Sequence, residues 1–143
     1  MPAKRQPILP ILSEREGQLS TDGRWLIYQS DESGNNEIYV QKFPERGGKR
    51  QISSDGGMNP QWRQDGRELF YYSKGKLMAV QVKTGADTGI DFGPAIPLFD
   101  YPSDAFRLYA ASADGQRFLI TQTESKTGAP LTVVLNWTSL LKQ

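Results

Sequence analysis

The chain has neither cysteine nor histidine among its 143 residues. Without cysteine it can form no disulfide, thiol nucleophile or thiolate metal site, and its redox compartment is left open. Without histidine, Ser-His-Asp and Cys-His catalysis, imidazole metal ligation and the commonest general base are also excluded. No stretch approaches the roughly 18 consecutive apolar residues of a membrane-spanning helix. The net charge is only +1, with acids and bases interspersed, so no field of one sign draws nucleic acid or anionic lipid. Lys4-Arg5 followed by Gln6 to Leu12 resembles an export signal only superficially, because its apolar stretch is short and broken by Pro7 and Pro10. The compartment therefore follows from context: periplasmic or extracytoplasmic if a longer, exported parent exists, cytoplasmic if the chain stands alone.

What the chain does have is repetition. It reads STDGRWLIYQS from Ser20 to Ser30, RQDGRELFYYS from Arg63 to Ser73 and SADGQRFLITQ from Ser112 to Gln122. Each copy is an Asp-Gly turn (Asp22-Gly23, Asp65-Gly66, Asp114-Gly115), a basic or amide residue, and a run of apolar and aromatic residues. The turn aspartates are 43 and then 49 residues apart. A period of about 40 to 50 residues is that of a four-stranded propeller blade, a unit that cannot bury its own faces alone. Apolar residues are only 37% of the chain while Gly and Pro are abundant, which favours many short strands joined by turns.

The first unit reads as Gln18 to Ser20, the turn, Trp25 to Ser30, Glu37 to Lys42 and a polar Lys49 to Ser53. The second reads as Pro60 to Arg63, Glu68 to Ser73, Lys76 to Val82, a loop from Lys83 to Pro94 and a strand from Ala95 to Tyr101. The third reads as Arg107 to Ser112, Arg117 to Gln122 and Leu131 to Trp137, ahead of a helical turn in the tail. Trp25 to Tyr28, Leu69 to Tyr72, Phe118 to Ile120 and Val133 to Leu135 are continuously apolar. A sheet with one wet face alternates instead, so both faces of these strands are expected to be covered. A parallel α/β sheet also covers both faces, but the connections here are too short and too rich in Gly and Pro to be helices. The fold class is all-β, with about three four-stranded propeller blades near residues 13–53, 54–100 and 101–137.

The stretch LSTDGRWLIYQSDESGNNEIYV, Leu19 to Val40, resembles the blade repeat of TolB-type, WD-repeat-like bacterial β-propellers. Thr21, Gln64 and Ala113 stand where that pattern usually has proline. From about Pro7 to Lys142, closing with LTVVLNWTSLLK, the chain is similar to the last blades of propellers in some bacterial receptor-type serine/threonine kinases and TolB-like proteins. The resemblance implies a non-catalytic domain that binds a ligand or protein, and no more than that.

Pro7 to Leu12 adds one spare outer strand, confined to a sheet edge by its prolines. Three blades are too few for a ring, which usually has four to eight. A bare terminal face would expose about half a dozen large apolar side chains, on the order of 10 kcal/mol of lost burial, comparable to the whole stability of a domain. The remaining blades are expected from a longer parent chain, or from a second copy closing a six-bladed homodimer.

Catalytic patterns are sparse. Ser73/Lys76 and Ser139/Lys142 match Ser-x-x-Lys without its companion motifs. The oxygen-rich Asp31 to Glu37 segment lacks the alternating ligands of an EF-hand and reads as a hairpin loop. Gly47-Gly48 and Gly56-Gly57 precede no helix and are not phosphate cradles, and the Trp62/Arg63 and Phe106/Arg107 pairs read as core or rim rather than base-stacking groups. Asp22, Gly23, Asp65, Gly66, Asp114 and Gly115 read as structural turns, each Asp capping its own backbone. No enzyme activity, cofactor or metal is expected of this chain. A protein or peptide partner is expected at the mouth of the central channel, with Glu16, Gln18, Asn59, Gln61, Arg107 and Tyr109 as candidate contacts. The alternative is an accessory propeller of a peptidase or serine/threonine kinase whose catalytic domain lies elsewhere.

Overall fold

The Asp-Gly turns organise antiparallel meanders. In the computed structural model, which describes residues 14–45, 47–85, 89–100, 109–120 and 132–135, the strands β1 (Glu14–Leu19), β2 (Trp25–Ser30), β3 (Glu37–Lys42) and β4 (Arg50–Gln51) form one sheet in chain order. A second sheet holds β5 (Met58–Trp62), β6 (Glu68–Ser73), β7 (Lys76–Gly85) and β8 (Gly89–Asp100), again in chain order. β9 (Tyr109–Ala111), β10 (Arg117–Ile120) and β11 (Thr132–Leu135) form a third, with β10 in the middle. Every pairing is antiparallel, and no helix occurs among the described residues. Pro7 to Leu12, Arg107 and the C-terminal segment 136–143 lie outside the described residues.

Each turn is tied by its own side chains. The Gly23 N–H donates to the Ser20 carbonyl at 2.8 Å, and Gly23 takes a φ of 70°, the left-handed conformation that favours glycine. Asp22 Oδ1 accepts from the Ser20 hydroxyl (2.6 Å) and the Arg24 N–H (3.0 Å), while Ser20 Oγ accepts from the Trp25 N–H (3.0 Å). Ser112, Asp114, Gln116 and Arg117 repeat this set at 2.5, 3.0 and 3.0 Å. In the second turn Arg63 replaces the serine. Its guanidinium bridges Asp65 at 3.1 Å and Glu68 at 3.0 Å.

Stacking accounts for both faces of β6 and for one face of β2, whose Leu26 and Tyr28 pack instead with Tyr39, Leu19 and Phe43. Side chains alternate across a strand, so Trp25 and Ile27 of β2 face the second sheet while Leu26 and Tyr28 face away from it. On β6, Leu69 and Tyr71 meet the first sheet, and Phe70 and Tyr72 meet the third. Six of the seven residues Trp25, Ile27, Ile38, Val40, Leu69, Phe70 and Phe118 thus belong to strands of the first two sheets, and each is at least 94% buried. Phe118 of β10 meets Phe70 edge-to-face, with ring centroids 5.0 Å apart.

Two expectations are corrected. Lys83 to Pro94 is not a loop: β7 runs on to Gly85 and β8 starts at Gly89, with Lys83 opposite Asp91 and Thr84 opposite Ile90. The hairpin arm continues one apolar face of the ladder, with Val82 and Ile90 buried and Phe92 packed against the same core, while Lys83, Thr84 and Asp91 are exposed. Nor are both faces of β10 covered. Phe118 and Ile120 are buried against the second sheet, but Leu119, pointing the other way, is 43% exposed. Among the described residues the third sheet is the last in the stack, so only one of its faces meets a neighbour.

Candidate functional site

The first strand of each sheet carries the described residues among those expected at the channel mouth, Glu16 and Gln18 on β1, Asn59 and Gln61 on β5 and Tyr109 on β9, while Arg107 lies outside the described residues. β1 and β5 share an irregularity. The register shifts between Arg15 and Gln18 on one and between Met58 and Gln61 on the other, with Glu16 (φ 51°) and Asn59 (φ 52°) in left-handed conformations inside the shifts. These two positions are 43 residues apart, the spacing of the turns that follow them. Such bulges bend a strand and re-aim its side chains.

The polar groups next to the bulges join the sheets. Gln18 Oε1 accepts from the Trp62 N–H at 2.7 Å, and the Trp62 indole N–H donates to the Gln18 carbonyl at 3.3 Å. Gln61, the repeat equivalent of Gln18, donates through Nε2 to the Tyr109 carbonyl at 2.6 Å. The buried Tyr109 hydroxyl donates to the Asn59 carbonyl at 2.8 Å, and the Asn59 N–H donates to Gln29 Oε1 at 3.2 Å. Asn59, Gln61 and Tyr109 are thereby brought together, Gln18 joins them through Trp62, and Glu16 stands apart and exposed.

Two clefts that the sequence did not reveal open at the ends of the apolar layer between the first and second sheets. One, of about 410 Å³, lies beside the β2–β3 loop, the β4–β5 connection and the β6–β7 turn, with Asn35, Asn36, Glu37, Asp55, Tyr72 and Lys74 in its wall. The buried Glu37 carboxylate accepts from the Ser53 hydroxyl and, at 3.0 Å, from the Gly56 N–H. Burial, with the Glu37 charge as a second cause, pushes the Tyr71 hydroxyl up to about 12. Lys74 and Asp55 form an ion pair across the same wall.

The other cleft, of about 310 Å³, lies between the first two Asp-Gly turns, which the Thr21 hydroxyl bridges by donating to the Gln64 carbonyl at 2.5 Å. Asp22 and Asp65 line it together with Trp25, Trp62, Thr84 and Ile90. The Ser20 hydroxyl holds the Asp22 carboxyl below its usual range, against the opposing effect of burial, and the Arg24 N–H adds to the lowering. The repeat signal contains this cleft only implicitly: each turn is legible alone, and stacking sets them side by side. Among the described residues no group of three or more Asp or Glu converges as a metal site.

Two four-stranded sheets and a three-stranded one, each with its strands adjacent in chain order and stacked face to face with their first strands on a common side, define the blades of a β-propeller. The fold is TolB-like. TolB from Acinetobacter baumannii matches with a TM-score of 0.56 at 17% identity over 85% of this chain, and oligogalacturonate lyase from Vibrio parahaemolyticus with 0.54 at 18% over 71%. The chain spans 29% and 26% of those two structures' lengths. No family model and no curated protein sequence matches it. One of the two neighbours is named as a lyase, so this architecture by itself does not separate binder from enzyme.

Proposed function

We propose that the chain is a non-catalytic propeller module that binds a protein or peptide, and that it supplies the C-terminal blades of a larger ring. The observation that carries the reading is the third sheet. Its outward Leu119 is 43% exposed, whereas the residues facing both ways from β2 and β6 are buried. A further blade, from a longer parent or a second copy, covers that face. The lengths of the structural neighbours, more than three times the matched span, support the longer parent.

In this reading the partner docks on the first-strand side, beside the bulges that hold Glu16 and Asn59, with Gln18, Gln61, Tyr109 and Arg107 as the other contacts. Affinity capture with the whole chain, followed by rebinding of the purified partner, tests this. Wild type retains the partner and Glu16→Lys releases it. A chain from which no partner can be purified and rebound overturns the reading.

A second reading, an accessory propeller beside the catalytic domain of a peptidase or serine/threonine kinase, draws on the same short coverage of the neighbours. It predicts that the captured partner is a substrate of the parent enzyme.

A further inference from the structure

We propose that the cleft between the first and second Asp-Gly turns binds an alkylammonium or guanidinium group, the charge resting on Asp22 and Asp65 and the stem on Trp25, Trp62 and Ile90. The inference rests on the binding reading and names a chemistry for one part of it. The cleft's volume of about 310 Å³ falls at the small end of ligand pockets, which run from roughly 300 to 1,000 Å³.

Its wall divides into two chemistries. The floor is apolar and aromatic, with Trp25, Trp62 and Ile90 each more than nine-tenths buried. The rim holds the hydroxyls of Ser20, Thr21 and Thr84 and the carboxylates of Asp22 and Asp65, and among the described residues no basic side chain lines it. The nearby Arg63 does not balance those acids, because its one guanidinium is divided between Asp65 and the buried Glu68. Arg24 lies close enough to act on the Asp22 charge, but it is exposed and outside the wall. An indole face attracts a cation, and a carboxylate strengthens the attraction through a charge-assisted hydrogen bond. A neutral polyol can also donate hydrogen bonds to the acids, but without the cation's charge to strengthen them.

The test follows the side-chain N–H signals of Trp25 and Trp62 by NMR in the full chain during titration with n-butylammonium, n-butylguanidinium and a blocked Gly-Arg-Gly tripeptide. Sodium chloride at matched concentration and n-butanol serve as controls. Both indole signals shift saturably with the cations, and n-butanol binds at least about tenfold more weakly, the difference one charge-assisted contact makes. Asp22→Asn keeps an oxygen for Ser20 and Arg24, so the turn persists while affinity for the cations drops severalfold. Thr84→Arg, at an exposed position on the rim, places a tethered cation there and competes with the free ones. Tripeptide binding as tight as that of the free guanidinium assigns the site to a peptide side chain, whereas binding of the free cations alone assigns it to small amines.

No saturable shift, an equal response to n-butanol, or indifference to both substitutions overturns the inference. If that happens while a Glu16-dependent partner is still captured, the binding reading stands and this inference alone falls.

Discussion

Gln18 Oε1 accepts a 2.7 Å hydrogen bond from the Trp62 N–H, joining the first strand of one sheet to the first strand of the next. The tie recurs one repeat later with its polarity reversed: Gln61 donates, at 2.6 Å, to the Tyr109 carbonyl. The same residue type thus acts as acceptor in one copy and donor in the other. Side-chain amides suit this use because they offer both functions at one reach.

The reversal predicts unequal responses to glutamate. Gln18→Ala, which strands a half-buried N–H, should cost about 1 kcal/mol. Gln18→Glu preserves the acceptor and should recover most of that loss. Gln61→Glu sets a carboxylate against a carbonyl and should be worse than Gln61→Ala. Urea denaturation midpoints of the four variants decide the matter. Equal effects of glutamate at both positions would contradict the assigned polarity.

Gly57 and Gly23 should fail for different reasons when changed to alanine. A Cβ at Gly57 would sit 2.6 Å from Ser53 Oγ and 2.7 Å from Ile38 Cγ1, inside the buried support of Glu37. Overpacking of that kind costs about 1–3 kcal/mol. At Gly23 there is open space, and only the positive φ resists, for about 1 kcal/mol. Thermal unfolding should rank Gly57→Ala as the more destabilised, with the environment of Glu37 altered only in that variant.

Stability should fall in acid through the turns. Hydrogen bonds from Ser20 and Ser112 lower the pKa values of Asp22 and Asp114 from 3.8. A carboxyl depressed in the folded state stabilises it above its unfolded pKa, and the contribution disappears as pH falls through the folded value. The loss therefore falls below about pH 4. The Ser20→Ala/Ser112→Ala double variant should be less stable at neutral pH and show a shallower acid slope, measured by chemical denaturation across that range.

At the alkaline end, Tyr71 should titrate above the ordinary tyrosine range. Burial first, and the Glu37 charge second, raise it from 10.0 to about 12. Because the folded pKa is raised, the stabilisation is complete below pH 10 and is lost as pH climbs toward 12. Ultraviolet titration should show a late tyrosinate step that Tyr71→Phe removes. A step at the ordinary value would place Tyr71 in water.

The repeat made the blades legible because the physics is local. An Asp-Gly turn followed by an apolar run specifies a hairpin wherever it occurs, and Glu37–Lys42 and Glu68–Ser73 form strands over the stretches read from sequence. The β7–β8 arm escaped because Thr84, Gly85 and Gly89 carry turn chemistry while backbone pairing carries the ladder through them. Leu119 escaped because a hydrophobic run shows that a strand can be covered on both sides, not that a neighbour is present. The ties made by Gln18 and Gln61 were hidden for another reason: their partners are backbone groups 44 and 48 residues away. The two clefts likewise exist only once neighbouring repeats are stacked.

The measurement closest to the central claim is a NOESY experiment on the folded chain that reads contacts between sheets. Face-to-face stacking predicts cross-peaks from Ile27 and Ile38 to Leu69 and Tyr71, and from the Phe70 ring to the Phe118 ring. Absence of both sets, with Leu69 and Phe70 in contact only with residues of their own sheet, would contradict it.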